Sequence, residues 1–135
     1  MSLFGFLKGF LSATTDGIDS MTLSYLEAAL SSSSLAPDLR YPGTKIFSAS
    51  DFSQDTVTRA VNDCAAFASA NSDLISKIGM DAERLGEFFW YARNEDLARG
   101  PTPLKSLLIS KARAFGEAIV VDTASGLRIF IPSRA

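Results

Sequence analysis

Residues 86–94 read GEFFWYARN, and Phe88, Phe89, Trp90 and Tyr91 stand in an unbroken aromatic row. The flanks, MDAERLGE before and ARNEDLARG after, have the composition of a helix. Successive helical residues turn by about 100°, so four in a row sweep most of the circumference and a single core contact cannot take them all. Leu85, Phe88, Phe89 and Ala92 converge on one side, which is the predicted core face. Trp90 and Leu97 share the longitude of Gly86, about 120° away on the wheel. Tyr91 points among Arg84, Glu87 and Glu95, where its hydroxyl stays wet. Trp90 and Leu97, over a glycine gap, therefore define a second contact surface. Either another part of this chain covers it, the N-terminal helix or the C-terminal hairpin, or a partner does, since tryptophan concentrates binding energy at interfaces.

Outward from this segment the chain reads as helices. Asp81 caps the aromatic helix, which is expected to run to Arg99, with Gly100 at the C′ position and Pro101 beyond. Thr102-Pro103 opens a last helix over 103–115, with Leu104, Leu107, Leu108 and Phe115 as its predicted core stripe and Gly116 as its stop. Lys111 falls inside that stripe. Its stem can lie along apolar surface with the ammonium in water, or it can meet an acidic group within the chain or on a partner.

Upstream, a helix over 52–70 starts at Ser50 or Ser53 and carries Val57, Val61, Cys64 and Ala68 as an apolar stripe. Its many alanines make it slim, which suits a central position. Asn71-Ser72-Asp73 starts another segment that Gly79 breaks. A helix over 19–32 begins at Asp19 or Ser20 and ends in four serines and Pro37, leading into an irregular stretch over about 33–50. Residues 2–14 form an amphipathic helix with Leu3, Phe4, Phe6, Leu7, Phe10 and Leu11 on one face and small residues on the other. Such a helix suits packing between protein surfaces. Contact with a membrane surface is the less favoured reading, because one lysine gives little attraction to anionic lipid. Lys8 interrupts the apolar run, so a signal peptide is not expected. After residue 116 the period changes: EAIVVD, TASG and LRIFIP read as two strands around a tight turn. Leu127, Ile129 and Ile131 are expected to face the helices and Arg128 to face out.

The predicted fold is thus mostly α: a single-domain bundle of five or six helices with a C-terminal β-hairpin. The 135 residues, 47% hydrophobic and 21% charged, fit one globular domain. A net charge of −2 gives no broad basic footprint for nucleic acid. Residues 51–100 hold nine acids against five bases, while residues 101–135 hold two against five.

Catalytic equipment is sparse. The chain has no histidine, which removes the commonest general base and metal ligand. The lone Cys64 forbids an intrachain disulfide, sits in an apolar stripe and reads as a small buried hydrophobe. A reducing, cytoplasmic setting is expected. No P-loop, dinucleotide glycine motif, CxxC, GxSxG or Ser-x-x-Lys occurs. Glu83 and Glu87 lie one turn apart and read first as a solvated face. No cofactor, metal site or enzymatic activity is expected. The leading expectation is an interaction protein, an adaptor or accessory subunit that meets a protein partner or itself through Trp90, Leu97, Phe4, Phe6, Phe10 and Lys111. One alternative is an inhibitor or immunity-type protein that binds its target through the acidic middle segment. Another is a small-ligand binder or enzyme that uses Lys111 with Glu83 or Glu87.

Overall fold

The computed structural model describes residues 19–33, 47–94 and 103–132. Among them are five α-helices, a 3-10 turn and two strands. The helices are α1 (Ser20–Ser32), α2 (Gln54–Ala70), α3 (Ser72–Ile78), α4 (Ala82–Arg93) and α5 (Pro103–Arg113). The 3-10 turn at Ala49–Asp51 precedes α2, and β1 (Ile119–Thr123) pairs antiparallel with β2 (Gly126–Phe130). The mostly helical fold with a C-terminal hairpin is the one the sequence predicts. The expected helix over residues 2–14 lies outside the described residues.

Local chemistry sets the helix ends. Asp19 accepts from the Thr22 amide at 2.9 Å, satisfying one of the open amides at the start of α1, and from the Thr22 hydroxyl at 2.8 Å. Ser53 accepts from the Thr56 amide at the start of α2, and Asp81 from the Arg84 amide at the start of α4. Gly79 ends α3 at φ 83°, a left-handed conformation that glycine adopts without steric penalty. The described part of α4 ends at Arg93, six residues short of the predicted Arg99. Asn94 closes it, its side-chain amide donating to the Trp90 carbonyl at 2.9 Å while its carbonyl oxygen accepts from the Ala118 amide at 2.7 Å. A residue that caps the helix therefore also ties it to the start of the hairpin.

The core is organised around α4. Its buried residues are Leu85, Gly86, Phe89, Trp90, Ala92 and Arg93, a continuous arc of about 160° on the wheel. Phe88 sits at the margin of that arc, half-buried, and is not the central core residue the sequence suggests. The arc is wide because α4 packs against α1, α5 and α2. Against α2, the Phe89 ring stacks on Phe67 with centroids 4.4 Å apart. Against α1, Gly86 leaves no side chain between the backbones. A Cβ there would strike the Met21 carbonyl oxygen and come within 3.0 Å of the Tyr25 nitrogen. Tyr25 then stacks on Phe89 at 5.2 Å and meets the edge of Trp90 at 5.3 Å.

Two other helices are rotated from their predicted stripes. The buried residues of α2 are Thr56, Ala60, Cys64, Phe67 and Ala68, with Val57 and Val61 only half-buried. Phe67 pulls the face toward itself because its ring is the largest surface α2 can bury. In α5 the buried residues are Leu108, Ile109 and Ala112, whereas Leu104 and Leu107 are exposed. Lys111 is exposed with them, outside the core stripe in which the sequence places it.

Two charged side chains are buried among the described residues, Asp19 at the start of α1 and Arg93 at the end of α4. Arg93 is buried, and its guanidinium donates from Nε to the Gly116 carbonyl, from Nη2 to the Phe115 carbonyl and from Nη1 to the Tyr25 hydroxyl, each at 2.8 Å. Nη1 also meets Asp63 Oδ2 at 3.3 Å, and the guanidinium carbon lies 5.3 Å from the Phe89 ring centroid. The fork thus joins α1, α2, α4 and the loop into the hairpin. No buried side-chain polar atom among the described residues lacks a partner. Removing one member of a buried charge pair strands the other and typically costs about 3–5 kcal/mol. Arg93→Ala is expected to lose that much in urea denaturation followed by Trp90 fluorescence. Arg93→Lys should recover only part of it, because one ammonium cannot span two carbonyls and a phenol as a planar fork does. Either variant melting with the wild type would remove Arg93 from this role.

Candidate functional site

The hairpin presents two different faces. Leu127 and Ile131 are buried and Ile129 half-buried against the helices, the register the sequence predicts. The opposite face turns to solvent. The turn at Ala124-Ser125 is closed by Thr123, whose hydroxyl donates to the Gly126 carbonyl at 2.7 Å and accepts from the Ser125 amide at 3.2 Å. That turn pairs Thr123 with Gly126, Val121 with Arg128 and Ile119 with Phe130. Side chains alternate along a strand, so these pairs share one side. Ile119 is 52% exposed, Val121 39% and Phe130 44%. Three bulky apolar side chains therefore lie together in water on a two-stranded sheet.

The first turns of α2 wall this face. Asp55, Thr56, Thr58 and Arg59 border it, and with the hairpin they enclose a shallow cavity of about 650 Å³. Arg128 reaches across the strand face to Asp55, Nη2 to Oδ2 at 3.6 Å. An exposed pair of this length contributes little stability, but it sets the guanidinium at the edge of the apolar floor. Arg59 is exposed and makes no ion pair among the described residues. The chemistry on offer is a floor for apolar side chains with cationic hydrogen-bond donors at its rim.

Of the residues singled out by sequence, those that the structure describes lie elsewhere. Trp90 is 3% exposed, and its indole Nε1 donates to the Ser32 hydroxyl at 2.7 Å. Helix α1 covers it, with the start of the hairpin alongside at Ala118, Ile119 and Val120, so Trp90 is buried within the chain and is not an open anchor. Leu97, Phe4, Phe6 and Phe10 lie outside the described residues. Lys111 stands on the exposed side of α5, where Leu104 and Leu107 are exposed as well. Glu83 and Glu87 are exposed and border a groove of about 530 Å³ between α1 and α4, with Glu27, Asp81 and Arg84. Lys111 does not line that groove, so the proposed lysine–carboxylate constellation is not assembled there.

Cys64 is buried, as its apolar surroundings suggest; burial first, and then the nearby Asp19 carboxylate, push its thiol well above the ordinary range. Burial also raises the Tyr25 phenol despite the opposing Arg93 charge, so Tyr25 stays a neutral hydrogen-bond partner. No group of three or more Cys, Asp or Glu side chains among the described residues is placed to hold a metal ion. None of the described helices is long and apolar enough to cross a membrane.

Ile119, Val121, Phe130 and Arg59 carry the surface that the sequence reading misses. A signal was present: AIVV has apolar residues at consecutive positions, so β1 is apolar on both faces and only one can be covered by the helices. No protein-family model matches the chain, and no curated protein or solved structure is significantly similar to it.

The burial of Trp90 has a direct consequence. Trp90→Ala should destabilise the isolated protein by about 3–5 kcal/mol, as for other large aromatic truncations in a core, comparably to Phe89→Ala. Thermal melting of both variants by circular dichroism checks this. A Trp90→Ala protein that melts within a degree or two of the wild type would return Trp90 to an interface role.

Proposed function

We propose that this protein is a non-enzymatic interaction protein, an adaptor or accessory subunit, that docks a protein partner on the outer face of its C-terminal hairpin. The observation that carries this reading is the exposed cluster of Ile119, Val121 and Phe130 beside the wall of α2. Single exposed apolar residues are ordinary, but a contiguous group rimmed by polar residues is the usual mark of an interaction site. The rest of the fold supports it. The inner face of the hairpin is fixed by Leu127 and Ile131 in the core, and the Ser53 amide donates to the Leu127 carbonyl at 2.8 Å. These contacts tie the outer face to the core, and a surface held in place before binding lowers the ordering cost of association.

A second reading has its own observation. Glu27, Asp81, Glu83 and Glu87 against a single Arg84 make the groove between α1 and α4 acidic. This favours an inhibitor-type protein that blocks a basic partner, with association that slows steeply as salt rises.

A photo-crosslinking residue at position 130 separates the two, with positions 83 and 76 as the other sites. Ser76 is exposed and belongs to neither surface. In extracts of the cells of origin, the hairpin reading expects a discrete adduct from position 130 that disappears in Val121→Asp, and none from position 76. Adducts from position 83 alone, insensitive to Val121→Asp, would replace it with the inhibitor reading.

A further inference from the structure

We infer that the occupant of the hairpin's outer face is an acidic, apolar peptide segment of another protein, whose bulky side chains rest on Ile119, Val121 and Phe130 while a carboxylate meets Arg59. This rests on the reading just given and adds the chemistry of the partner. The charged groups that line the cavity are Asp55, Arg59 and Arg128. The single carboxylate of this lining is already matched by Arg128 at 3.6 Å, which leaves the Arg59 guanidinium at the rim without an ion pair among the described residues. A carboxylate is the group that a guanidinium binds most directionally, through two parallel hydrogen bonds. An apolar partner without an acid would leave that charge partly desolvated and unpaired, and a basic partner would be repelled.

The apolar floor fixes the other half of the ligand. Ile119 and Val121 are two positions apart on β1, and Phe130 lies directly across from Ile119. Two residues along a strand span about 6.6 Å, and cross-strand neighbours lie about 5 Å apart. That footprint takes two or three bulky side chains, and a cavity of about 650 Å³ holds them. A short ligand whose acids flank its apolar residues can rest the apolar set on the floor and turn an acid at its end toward the Arg59 rim, since in an extended strand the acids between them point away from the floor.

A second copy of this chain is the poorer occupant. A twofold interface sets the same patch against itself, so Arg59 and Arg128 of one copy would face a rim of the same sign, with only two carboxylates to serve four guanidinium groups.

The test uses the full chain, labelled with ¹⁵N and titrated with two synthetic hexapeptides, EVEFEV and KVKFKV, both blocked at their termini. The expected result is saturable amide shifts within 55–59, 119–123 and 128–130, with the acidic peptide binding at least tenfold more tightly than the lysine peptide. Arg59→Glu should erase that preference or reverse it while the chain stays folded with its amide dispersion intact, since Arg59 is exposed and makes no ion pair among the described residues. Val121→Asp should abolish the shifts from either peptide. Equal binding of both peptides, or an Arg59→Glu protein that keeps the acidic preference, overturns the acidic partner while leaving the hairpin face as a docking surface. Shifts from neither peptide overturn the inference, and the docking surface falls separately if position 130 also yields no adduct. Concentration-dependent shifts of the same amides without peptide, with sedimentation as a dimer, would overturn it in favour of a second copy.

Discussion

The absent side chain at Gly86 lets α1 and α4 meet backbone to backbone, and the arrangement of the core follows from that contact. At this crossing the Met21 carbonyl and the Tyr25 amide occupy the space a Cβ would fill. Helices usually pack 8–10 Å apart, at distances set by the side chains between them; removing one side chain brings both helices close enough for Tyr25 to reach Phe89 and Trp90 together. The Phe89 ring is then shared, with Tyr25 on one side and Phe67 on the other. Trp90 is enclosed by α1 with its one polar atom satisfied by Ser32. One glycine thus turns an aromatic row that looks too wide for a single core into the centre of it.

The polar counterpart is Arg93, one turn beyond Phe89 on the same face. Burying an arginine is costly unless every donor finds a partner. Here each nitrogen of the guanidinium does, and two of the partners are the carbonyls of Phe115 and Gly116. Those carbonyls lie where the chain leaves α5 for the hairpin, so the charge fixes the route of the backbone into β1. Asn94 repeats the device with the Ala118 amide. The end of α4 therefore positions the hairpin, whose inner face joins the core and whose outer face is left with Ile119, Val121 and Phe130. The proposed docking surface is a consequence of how α4 ends.

Much of this fold is legible in the sequence wherever a single residue type has a local job. Asp19, Ser53 and Asp81 cap helices because their short oxygen-bearing side chains reach backbone amides three residues on, and Gly79 ends one because it tolerates a positive φ. The strand register is legible because alternation admits only two answers and Leu127 and Ile131 choose between them. What depends on two elements at once is not legible. The wheel of α4 puts Trp90 on a separate surface because it assumes one neighbour per helix, and no local feature announces that α1 crosses at Gly86. Lys111 looks odd only while Leu104 and Leu107 are taken for core; α5 turns Ile109 and Ala112 inward instead. Arg93 next to Tyr91 and Ala92 resembles an ordinary basic residue near a helix C-terminus, since its four acceptors come from distant parts of the chain. The outer face of the hairpin was half visible in the doubly apolar β1, but Arg59 joins it only through the packing of α2.

The most direct measurement of the contact between α1 and α4 is the stability of Gly86→Ala. In an open helix this change is favourable by about 1 kcal/mol, because alanine is the better helix former. If α1 and α4 meet as described, the added methyl strikes a backbone carbonyl that no rotamer change can move. The helices must then separate, and overpacking of this kind costs about 1–3 kcal/mol or more. The expected result is a lower urea midpoint and a red-shifted Trp90 emission as the indole gains water. A Gly86→Ala protein as stable as the wild type or more so, with Trp90 emission unchanged, would contradict it.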